Sequence, residues 1–432
     1  MSVYAIGAGH MLDAVFDVNG NSLDVAYDLC GRVIFPTEKL VAAKSYDLSK
    51  SWKFKLLTTE TGKSLDALGY VAKDCDETDF ESVDLPYDWS IRQAFNASSP
   101  AAGKGAYLDG GQGVFRKTLQ VKSLDRRLVL RFDGAFMDVD VYVNGTKAAE
   151  NHWWNPFSVD VTDLLDVGNN VIAVHVTVNQ PNSRWYSSAG IQRKVWLDEC
   201  EPEGTPGVGL FKVTTPNIAN EAGGLVTTRI GLKLTQETSV QLYVKDASGK
   251  TLAYGAAKGK DIQKDLVVSS PELWTCESDS PALYYAEAVV DGKYRCRTRF
   301  GYRWLEFSKD GVSLNGESFK IKGFCMHEDT NCMGMEASKA AAVWKIRKLK
   351  SIGCNAIRTC HNPFSKEFID ACDENGMLVC YELFDCWNIT KEGNGYDFAR
   401  NFENCWADVV ENSVKRDVNS PAVFCWVAGN EI

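Results

Sequence analysis

The chain has 432 residues, of which 45% are hydrophobic and 24% charged, and its formal net charge is -10. A chain of this length favours two to four domains of roughly 100 to 150 residues each. An acidic protein surface neither releases counterions from a nucleic acid nor is attracted to an anionic membrane, so both are disfavoured as partners. The net charge does not exclude sugars or other neutral ligands.

The sequence contains no apolar run of the roughly 20 residues that span a bilayer. Its N-terminal stretch lacks a basic region and is interrupted by Asp13 and Asp17, which argues against a secretory signal and predicts a cytoplasmic location. The 14 cysteines have no regular spacing, and several lie inside apolar runs. We therefore expect reduced, mostly buried thiols.

Residues 1–45 form an N-terminal extension to which no fold is assigned. Gly7 and Gly9 follow a strand-like stretch, as in a dinucleotide-binding loop. Leu12, however, stands where that loop needs a third glycine or alanine, and too few residues follow for a nucleotide-binding half. A dehydrogenase is therefore disfavoured, and no cofactor is predicted.

Apolar and polar residues alternate with a period of two from residue 46 onwards. Three predicted strands illustrate the pattern: 128–132, 139–143 and 171–178. The pair Asn144-Gly145 is a strong hairpin signal. This pattern predicts a β-sandwich or jelly roll at 46–203. After a break rich in proline and glycine, a second all-β stretch at 204–303 has the length of an immunoglobulin-like β-sandwich.

Strands alternate with helices over residues 304–432, which predicts a parallel sheet. Four strands are expected, at 319–324, 355–359, 377–382 and 423–427. Three helices are expected as well: 338–353, 366–376, and one with Phe402, Trp406, Val409, Val410 and Val414 on one face. Parallel strands of this kind position reacting groups at their carboxyl ends.

Polar side chains follow each of the four strands. They are His327, Glu328 and Asp329; Arg358, His361 and Asn362; Glu382, Asp385 and Trp387; and Asn430 and Glu431. Carboxylates and amides bind hydroxyl groups, and an aromatic face packs on the C–H surface of a sugar, so the set suits a polyhydroxylated neutral ligand. Any single arginine or histidine here could equally brace the sheet. Glu431 is the candidate general acid, since burial at a strand end raises the pKa of a carboxyl group.

Six motifs in chain order resemble family 2 glycoside hydrolases, the β-galactosidase and β-glucuronidase group. They are LPYDWSI (85–91), FDGAF with VYVNG (132–145), NSRWYSSAGIQRKVWL (182–197), IKGFCMHEDT (321–330), GCNAIRTCHNPF (353–364) and WVAGNE (426–431). The resemblance implies a sugar-binding jelly roll, an immunoglobulin-like domain and a (β/α)8 TIM barrel. It also implies retaining hydrolysis of terminal β-linked sugars. A β-galactosidase is favoured, and a β-glucuronidase is the alternative within the class.

The resemblance also implies roles for single residues. Glu431 would be the acid/base, and Asn430 would bind the sugar's 2-hydroxyl. Arg358 would hold the carboxylate of the nucleophile. Further substrate-binding residues would be His327, His361, Asn362, Asp385 and Trp387. Trp153 and Trp154 are equally well explained as sugar contacts from the jelly roll or as packing residues.

Retention requires a second carboxylate about 5 to 5.5 Å from the first. In the family it lies on a later barrel strand, whereas only four of the eight strands are expected here, so we expect a chain truncated within its barrel and inactive alone. Glu382 is disfavoured as a substitute nucleophile, because neighbouring strand ends do not face each other across a sugar. The alternative is a non-catalytic carbohydrate-binding or complementing fragment. Association with a C-terminal fragment or with a second copy is expected.

No metal site is predicted. Some β-galactosidases have metal-binding Glu and His residues where this chain has Cys386 and Asn388. A zinc cluster could be imagined from Cys325, His327, Cys332, Cys360 and His361, but their spacing fits no regular zinc site.

Overall fold

A computed structural model describes residues 42–63, 67–200, 208–391 and 393–432. It also describes a two-residue strand pair, β1 (Val15–Phe16) and β2 (Ser22–Leu23). The glycines of the dinucleotide-like motif and most of the proline- and glycine-rich break lie outside the described residues. In the part of the chain that is described, no helix has the length and apolarity of a membrane span.

Two antiparallel sheets make up the first β-rich region. The six-stranded sheet has the order β10-β9-β12-β7-β4-β5, and the four-stranded sheet has the order β11-β8-β14-β3. A further pair joins β13 to β6. The strands are β3 (Ala42–Asp47), β4 (Trp52–Thr58), β5 (Glu81–Val83), β6 (Tyr87–Asp88), β7 (Gly111–Val121), β8 (Arg127–Phe132), β9 (Asp138–Val143), β10 (Thr146–His152), β11 (Phe157–Asp160), β12 (Gly168–Val178), β13 (Gly190–Ile191) and β14 (Val195–Cys200).

The period of two is visible in this region. Leu128, Leu130 and Phe132 of β8 are buried, and the residues between them are half-buried. The Asn144-Gly145 turn joins β9 to β10, with both residues at positive φ. The structure therefore confirms the three strands and the hairpin that the sequence predicts here.

The second β-rich region has a hydrophobic core of its own. Its strands are β15 (Val208–Thr214), β16 (Leu225–Lys245), β17 (Thr251–Ser269), β18 (Tyr284–Val290) and β19 (Tyr294–Phe300). The long strand β16 pairs with β15, β17 and β18, all antiparallel. Asp246 closes the β16–β17 turn, because its Oδ1 accepts from the backbone N–H groups of Ser248 and Lys250.

A small antiparallel sheet leads into the parallel one. It contains β20 (Leu305–Ser308), β21 (Gly311–Leu314) and β22 (Glu317–Phe319). The parallel sheet has the order β23-β24-β25-β26, with β23 (Gly323–Met326), β24 (Ala356–Thr359), β25 (Leu378–Glu382) and β26 (Val423–Val427). The helices are α1 (Leu68–Val71), α2 (Ile218–Glu221), α3 (Lys339–Ser351), α4 (Lys366–Asn375) and α5 (Phe402–Asp417). Short 3-10 turns lie at Ser90–Arg92, Ala102–Gly105, Thr162–Leu164, Asn331–Met333 and Phe398–Arg400.

The predicted strand at 319–324 is wrong as a single element. It is split, because β22 ends at Phe319 and the parallel strand begins only at Gly323. The Asn355 side chain binds the chain between them: its Nδ2 donates to the carbonyl of Lys320, and its Oδ1 accepts from the N–H of Lys322. Gly323 then starts β23 close against the backbone of Ala356, where a Cβ would lie 2.5 Å from the carbonyl oxygen.

Buried arginines join the β-rich regions to the parallel sheet. Arg193, with 1% of its side chain exposed, pairs with Glu328 at 3.0 Å and donates to the carbonyl of Pro363. Arg303 donates to the carbonyls of Pro421 and Val423 at the start of β26. The contacts of Arg193 set the first β-rich region beside the carboxyl ends of β23 and β24.

Candidate active site

The polar residues that follow the four parallel strands lie together. Because the strands are parallel and adjacent, their carboxyl ends share one edge of the sheet. Hydrogen bonds join residues from three of them: Arg358 on β24, Glu382 on β25 and Asn430 after β26. The juxtaposition that the sequence predicts is therefore present.

Glu382 lies at the base of this group and is fully buried. Its Oε1 lies 2.5 Å from Nη2 of Arg358, and its Oε2 lies 2.6 Å from Nδ1 of His361. Its backbone N–H donates to the hydroxyl of Thr359 at 2.8 Å. Both carboxylate oxygens are thus bound to cationic or hydrogen-bonding partners, which is the arrangement that a buried carboxylate needs.

Asn430 is held on both sides of its amide. Its Oδ1 accepts from Arg358 at 2.9 Å, and its Nδ2 donates to Oδ1 of Asp385 at 3.0 Å. Its backbone N–H donates to the carbonyl of Phe384. The side chain is 7% exposed. The amide orientation is therefore set by its partners, as a residue that orients a ligand hydroxyl requires.

Glu431 differs from the expectation of a buried general acid. Its side chain is 63% exposed, and its Oε2 lies 2.7 Å from Nη1 of Arg184 and 3.5 Å from Nζ of Lys391. The hydrogen bond from Arg184, and then the charges of Arg184 and Lys391, hold the pKa of Glu431 below its usual value. The expectation that burial raises this pKa is wrong for this arrangement, because residue 431 lies beyond the strand and its side chain points to solvent.

Arg184 is the residue that sequence reasoning missed. It comes from the first β-rich region, 247 positions from Glu431, and also donates to Asp385 at 2.7 Å. It therefore joins carboxylates that follow two different strands. Its only signal in the sequence is its place inside the motif at 182–197, and local periodicity says nothing about a contact over that separation.

His327 belongs to an aromatic cluster. Its ring stacks on Trp185 with centroids 4.9 Å apart, and His361 packs edge-on against the same indole at 5.3 Å. Burial lowers the pKa of His327, so its imidazole is neutral near pH 7. Its Nδ1 is buried with no hydrogen-bond partner among the described residues. Trp185, like Arg184, is contributed by the first β-rich region.

The other predicted ligand-binding residues are more enclosed. Asn362 is 3% exposed, and its Nδ2 donates to the carbonyl of Pro363. Trp387 donates its indole N–H to the carbonyl of Ala428 at 2.8 Å, which ties the loop after β25 to the loop after β26. Trp153 and Trp154 are 5% and 2% exposed.

Trp153 and Trp154 pack mainly on Phe136, and Trp153 also contacts Phe398. The cavity beside them, which Asn362 and Asp385 also line, has a volume of only about 20 Å³. Ligand pockets start at roughly 300 Å³. In this geometry the two tryptophans pack against neighbouring aromatic rings, and the cavity beside them is too small for a sugar.

Cys360, His361 and Glu382 offer ligand atoms within 4.8 Å of one another. Only two of them belong to the zinc cluster considered from the sequence. The guanidinium of Arg358 already supplies a positive charge to Glu382 at 2.5 Å, and His361 occupies its other oxygen. A cation bound by these three residues would have to break the ion pair of Glu382 with Arg358 and the hydrogen bond between Glu382 and His361, so this donor set does not fit a resident cation.

Two family models match adjacent parts of the chain. The model described as glycosyl hydrolases family 2 matches residues 211–303, and that of the family 2 TIM barrel domain matches residues 305–432. The chain belongs to glycosyl hydrolase family 2. The resemblance seen in the motifs is thereby confirmed, and the parallel βα region belongs to the TIM-barrel domain of the family.

Curated relatives of this family 2 chain include a beta-galactosidase of Bacteroides ovatus, 35% identical over 408 residues, which cover 89% of this chain and 46% of the relative. A putative beta-glucuronidase of Formosa agariphila is 34% identical over 85% of this chain and 36% of its own length. A crystal structure of a family 2 member from Bacteroides cellulosilyticus superposes with a TM-score of 0.81 at 28% identity, covering 90% of this chain and 52% of that one. The chain spans about half the length or less of these relatives.

Proposed function

We propose that this family 2 chain is part of a retaining β-glycosidase that removes terminal β-linked sugars, with a β-galactoside as the favoured substrate. The observation that carries the proposal is the braced amide of Asn430 next to the exposed carboxylate of Glu431. An oriented amide binds a sugar hydroxyl, and an exposed carboxylate can reach the leaving oxygen. A β-glucuronide is the alternative substrate, since relatives of both kinds match.

Glu431 is the proposed acid/base. A general acid must carry a proton, whereas Arg184 and Lys391 favour the charged form. A bound sugar therefore has to displace Arg184 from Oε2, or a second carboxylate nearby has to raise the pKa of Glu431 by repulsion. In the first option, substrate binding itself raises the pKa of Glu431 and so favours its acid form.

The nucleophile is proposed to come from a strand other than β23 to β26. Three carboxylates after β23 and β25 are already engaged. Glu328 is bound by Arg193 and by the N–H of Ser365, Glu382 by Arg358 and His361, and Asp385 by Arg184 and Asn430. Arg358, which the resemblance assigns to the nucleophile, here holds Glu382. Glu382 lies on a strand next to that of Glu431 and does not face it across a sugar, so in the proposed mechanism these three carboxylates act as braces.

The domain boundaries of the sequence analysis form part of the proposal: an extension at 1–45, a jelly roll at 46–203, an immunoglobulin-like sandwich at 204–303, and four βα units of a TIM barrel at 304–432. The two antiparallel sheets, the separate core of the second region and the four parallel strands support this division. The cytoplasmic location remains a prediction.

A non-catalytic binding or complementing fragment is the second candidate, and one observation favours it. On β23, at the edge of the parallel sheet, Phe324 is 57% exposed, and Ile321 just before it is 37% exposed. Exposed apolar residues at a sheet edge favour association with another chain or with a second copy.

The test is hydrolysis of aryl β-galactosides and aryl β-glucuronides by this chain, and by the longer translation product where the reading frame continues. In whichever form is active, Glu431→Gln should abolish turnover of a substrate with a poor leaving group and slow an activated one less. Glu60→Gln is the matched control, because Glu60 is equally exposed but lies in the first β-rich region. Full activity of Glu431→Gln on the poor substrate contradicts the assigned acid/base. Absence of hydrolysis in every form supports the binding fragment instead.

A further inference from the structure

A row of three cysteines and one arginine crosses the parallel sheet. Register pairs Cys325 of β23 with Arg358 of β24, Arg358 with Cys380 of β25, and Cys380 with Cys425 of β26. We call these four residues the thiol row. No part of the proposed glycosidase mechanism uses its cysteines.

The thiol row lies on the same face of the sheet as Glu382. Side chains alternate between the two faces of a strand, so Cys380 and Glu382, two positions apart, point the same way. Arg358 of the row reaches Glu382 directly. Tyr381 lies on the opposite face, where its hydroxyl accepts from Arg416 of α5. The row is therefore one layer below the candidate active site.

Cys380 and Cys425 are neighbours within the row. Adjacent strands are about 4.8 Å apart, which falls inside the range of roughly 4.4 to 6.8 Å between the Cα atoms of disulfide-bonded cysteines. Register places Cys380 opposite Cys425, just after a shift in the strand pairing at Val379. Both side chains are partly exposed, whereas Cys354, Cys372 and Cys405 are buried.

We propose that Cys380 and Cys425 form a reversible dithiol–disulfide pair, oxidised by a small-molecule disulfide such as oxidised glutathione. The pairing depends on sheet register, so it is independent of glycoside hydrolysis. A bond between the two sulfurs links β25 to β26 two residues before Glu382 and five residues before Asn430.

The exchange is balanced in two steps. The thiolate of Cys425 attacks one sulfur of the small disulfide, which forms a mixed disulfide and releases one small thiolate. The thiolate of Cys380 then attacks the sulfur of Cys425, forms the intramolecular bond and releases the second small thiolate. Two cysteines are oxidised and one small disulfide is reduced to two thiols. The neighbouring thiol of Cys380 lowers the pKa of Cys425, which favours Cys425 as the first thiolate.

Disulfide mapping on the wild-type chain tests the proposal. The chain is incubated with reduced or oxidised glutathione, alkylated, digested with trypsin without reduction and analysed by mass spectrometry. The Cys380 peptide also contains Cys372 and Cys386, so fragment ions must locate the link. We expect a Cys380–Cys425 link after oxidation, loss of two alkylated thiols, and recovery of both after reduction.

Cys425→Ser should abolish the link and leave Cys380 free or joined to glutathione. Cys405→Ser is the control, because this buried thiol lies on α5 and donates to the carbonyl of Asn401 just before the helix, so its loss should leave the link unchanged. The proposal is overturned if Cys380 and Cys425 stay alkylatable while exposed Cys332 becomes glutathionylated. It is overturned equally if the link formed joins Cys325 to Cys360, whose backbone N–H donates to the carbonyl of Met326 at the end of β23. The wild-type result decides the matter even if a variant fails to fold.

Discussion

Two carboxylates at the ends of neighbouring strands have opposite surroundings. Glu382 on β25 is fully buried, with one oxygen on Arg358 and the other on His361. Glu431, after β26, is mostly exposed and is paired with Arg184 and Lys391. A place at a strand end therefore does not define a role. A carboxylate with both oxygens bound in the interior braces the site, whereas an exposed one remains accessible to a ligand.

Removing each carboxylate in turn is the strongest test of this contrast. Glu382→Ala leaves the charge of Arg358 without its buried partner, and breaking a buried pair costs about 3 to 5 kcal/mol. Because 30% of the Arg358 side chain is exposed, we expect the free energy of unfolding to fall by the lower of these values, about 3 kcal/mol. Hydrogen exchange of the β24 to β26 amides measures the loss within the parallel sheet. Glu431→Ala should leave this exchange unchanged, and equal losses in both variants would refute the contrast.

Two histidines extend the comparison of buried and paired groups to the pH dependence of stability. Burial lowers the pKa of His327, so its neutral form contributes stability above the unfolded pKa of about 6.5, and that stability is lost as the pH falls towards the folded pKa. The hydrogen bond to Asp138 raises the pKa of His152, so its stability is complete below the unfolded pKa and is lost as the pH rises through the folded one.

His327→Phe keeps a ring on Trp185 but cannot titrate. The melting temperature of this variant should therefore fall less than that of the wild type between pH 7 and pH 5. His152→Gln should show the reverse, a larger fall than the wild type. His175, whose pKa burial also lowers, stays in both variants and cancels in the comparison. Parallel pH curves for all three proteins would contradict the assigned environments.

The smallest effect is expected at the exposed carboxylate. Arg184→Met removes the principal cause of the lowered pKa of Glu431, so that pKa should rise towards the ordinary value of a glutamate. Stability from this pairing exists only above the unfolded pKa of Glu431 and is lost as the pH falls through the folded one. Because the side chain of Glu431 is 63% exposed, this pair contributes little even at pH 7, where its contribution is complete. Arg184 also pairs with Asp385, so a loss of stability of Arg184→Met at pH 7 reports mainly on that second pair. Carboxyl carbon NMR with glutamate labelling, assigned with Glu431→Gln, measures the shift. Arg229→Met, at a distant exposed pair with Asp265, should leave Glu431 unchanged.

Local periodicity predicted much of the fold. Strands β8, β9 and β12 follow from alternation, and α3 and α4 follow from their amphipathic patterns and from serine N-caps, which accept from the N–H groups of Ala341 and Phe368. The strand predicted at 319–324 shows where local propensity fails to set the start of an element. Its residues have strand propensity, but a side chain 33 to 35 positions away, Asn355, binds the backbone there and delays the start of β23.

The sequence by itself determined that polar groups gather at one edge of a parallel sheet. The alternation of strands and helices and the polar residues at the strand ends can both be recognised from short stretches of sequence. Only the tertiary structure decided which of those groups are buried and what they contact. Arg184 and Trp185 enter from a different β-rich region, and the Cys380–Cys425 contact depends on strand register. Burial and long-range pairing depend on how separate elements pack, and no short-range pattern encodes that packing.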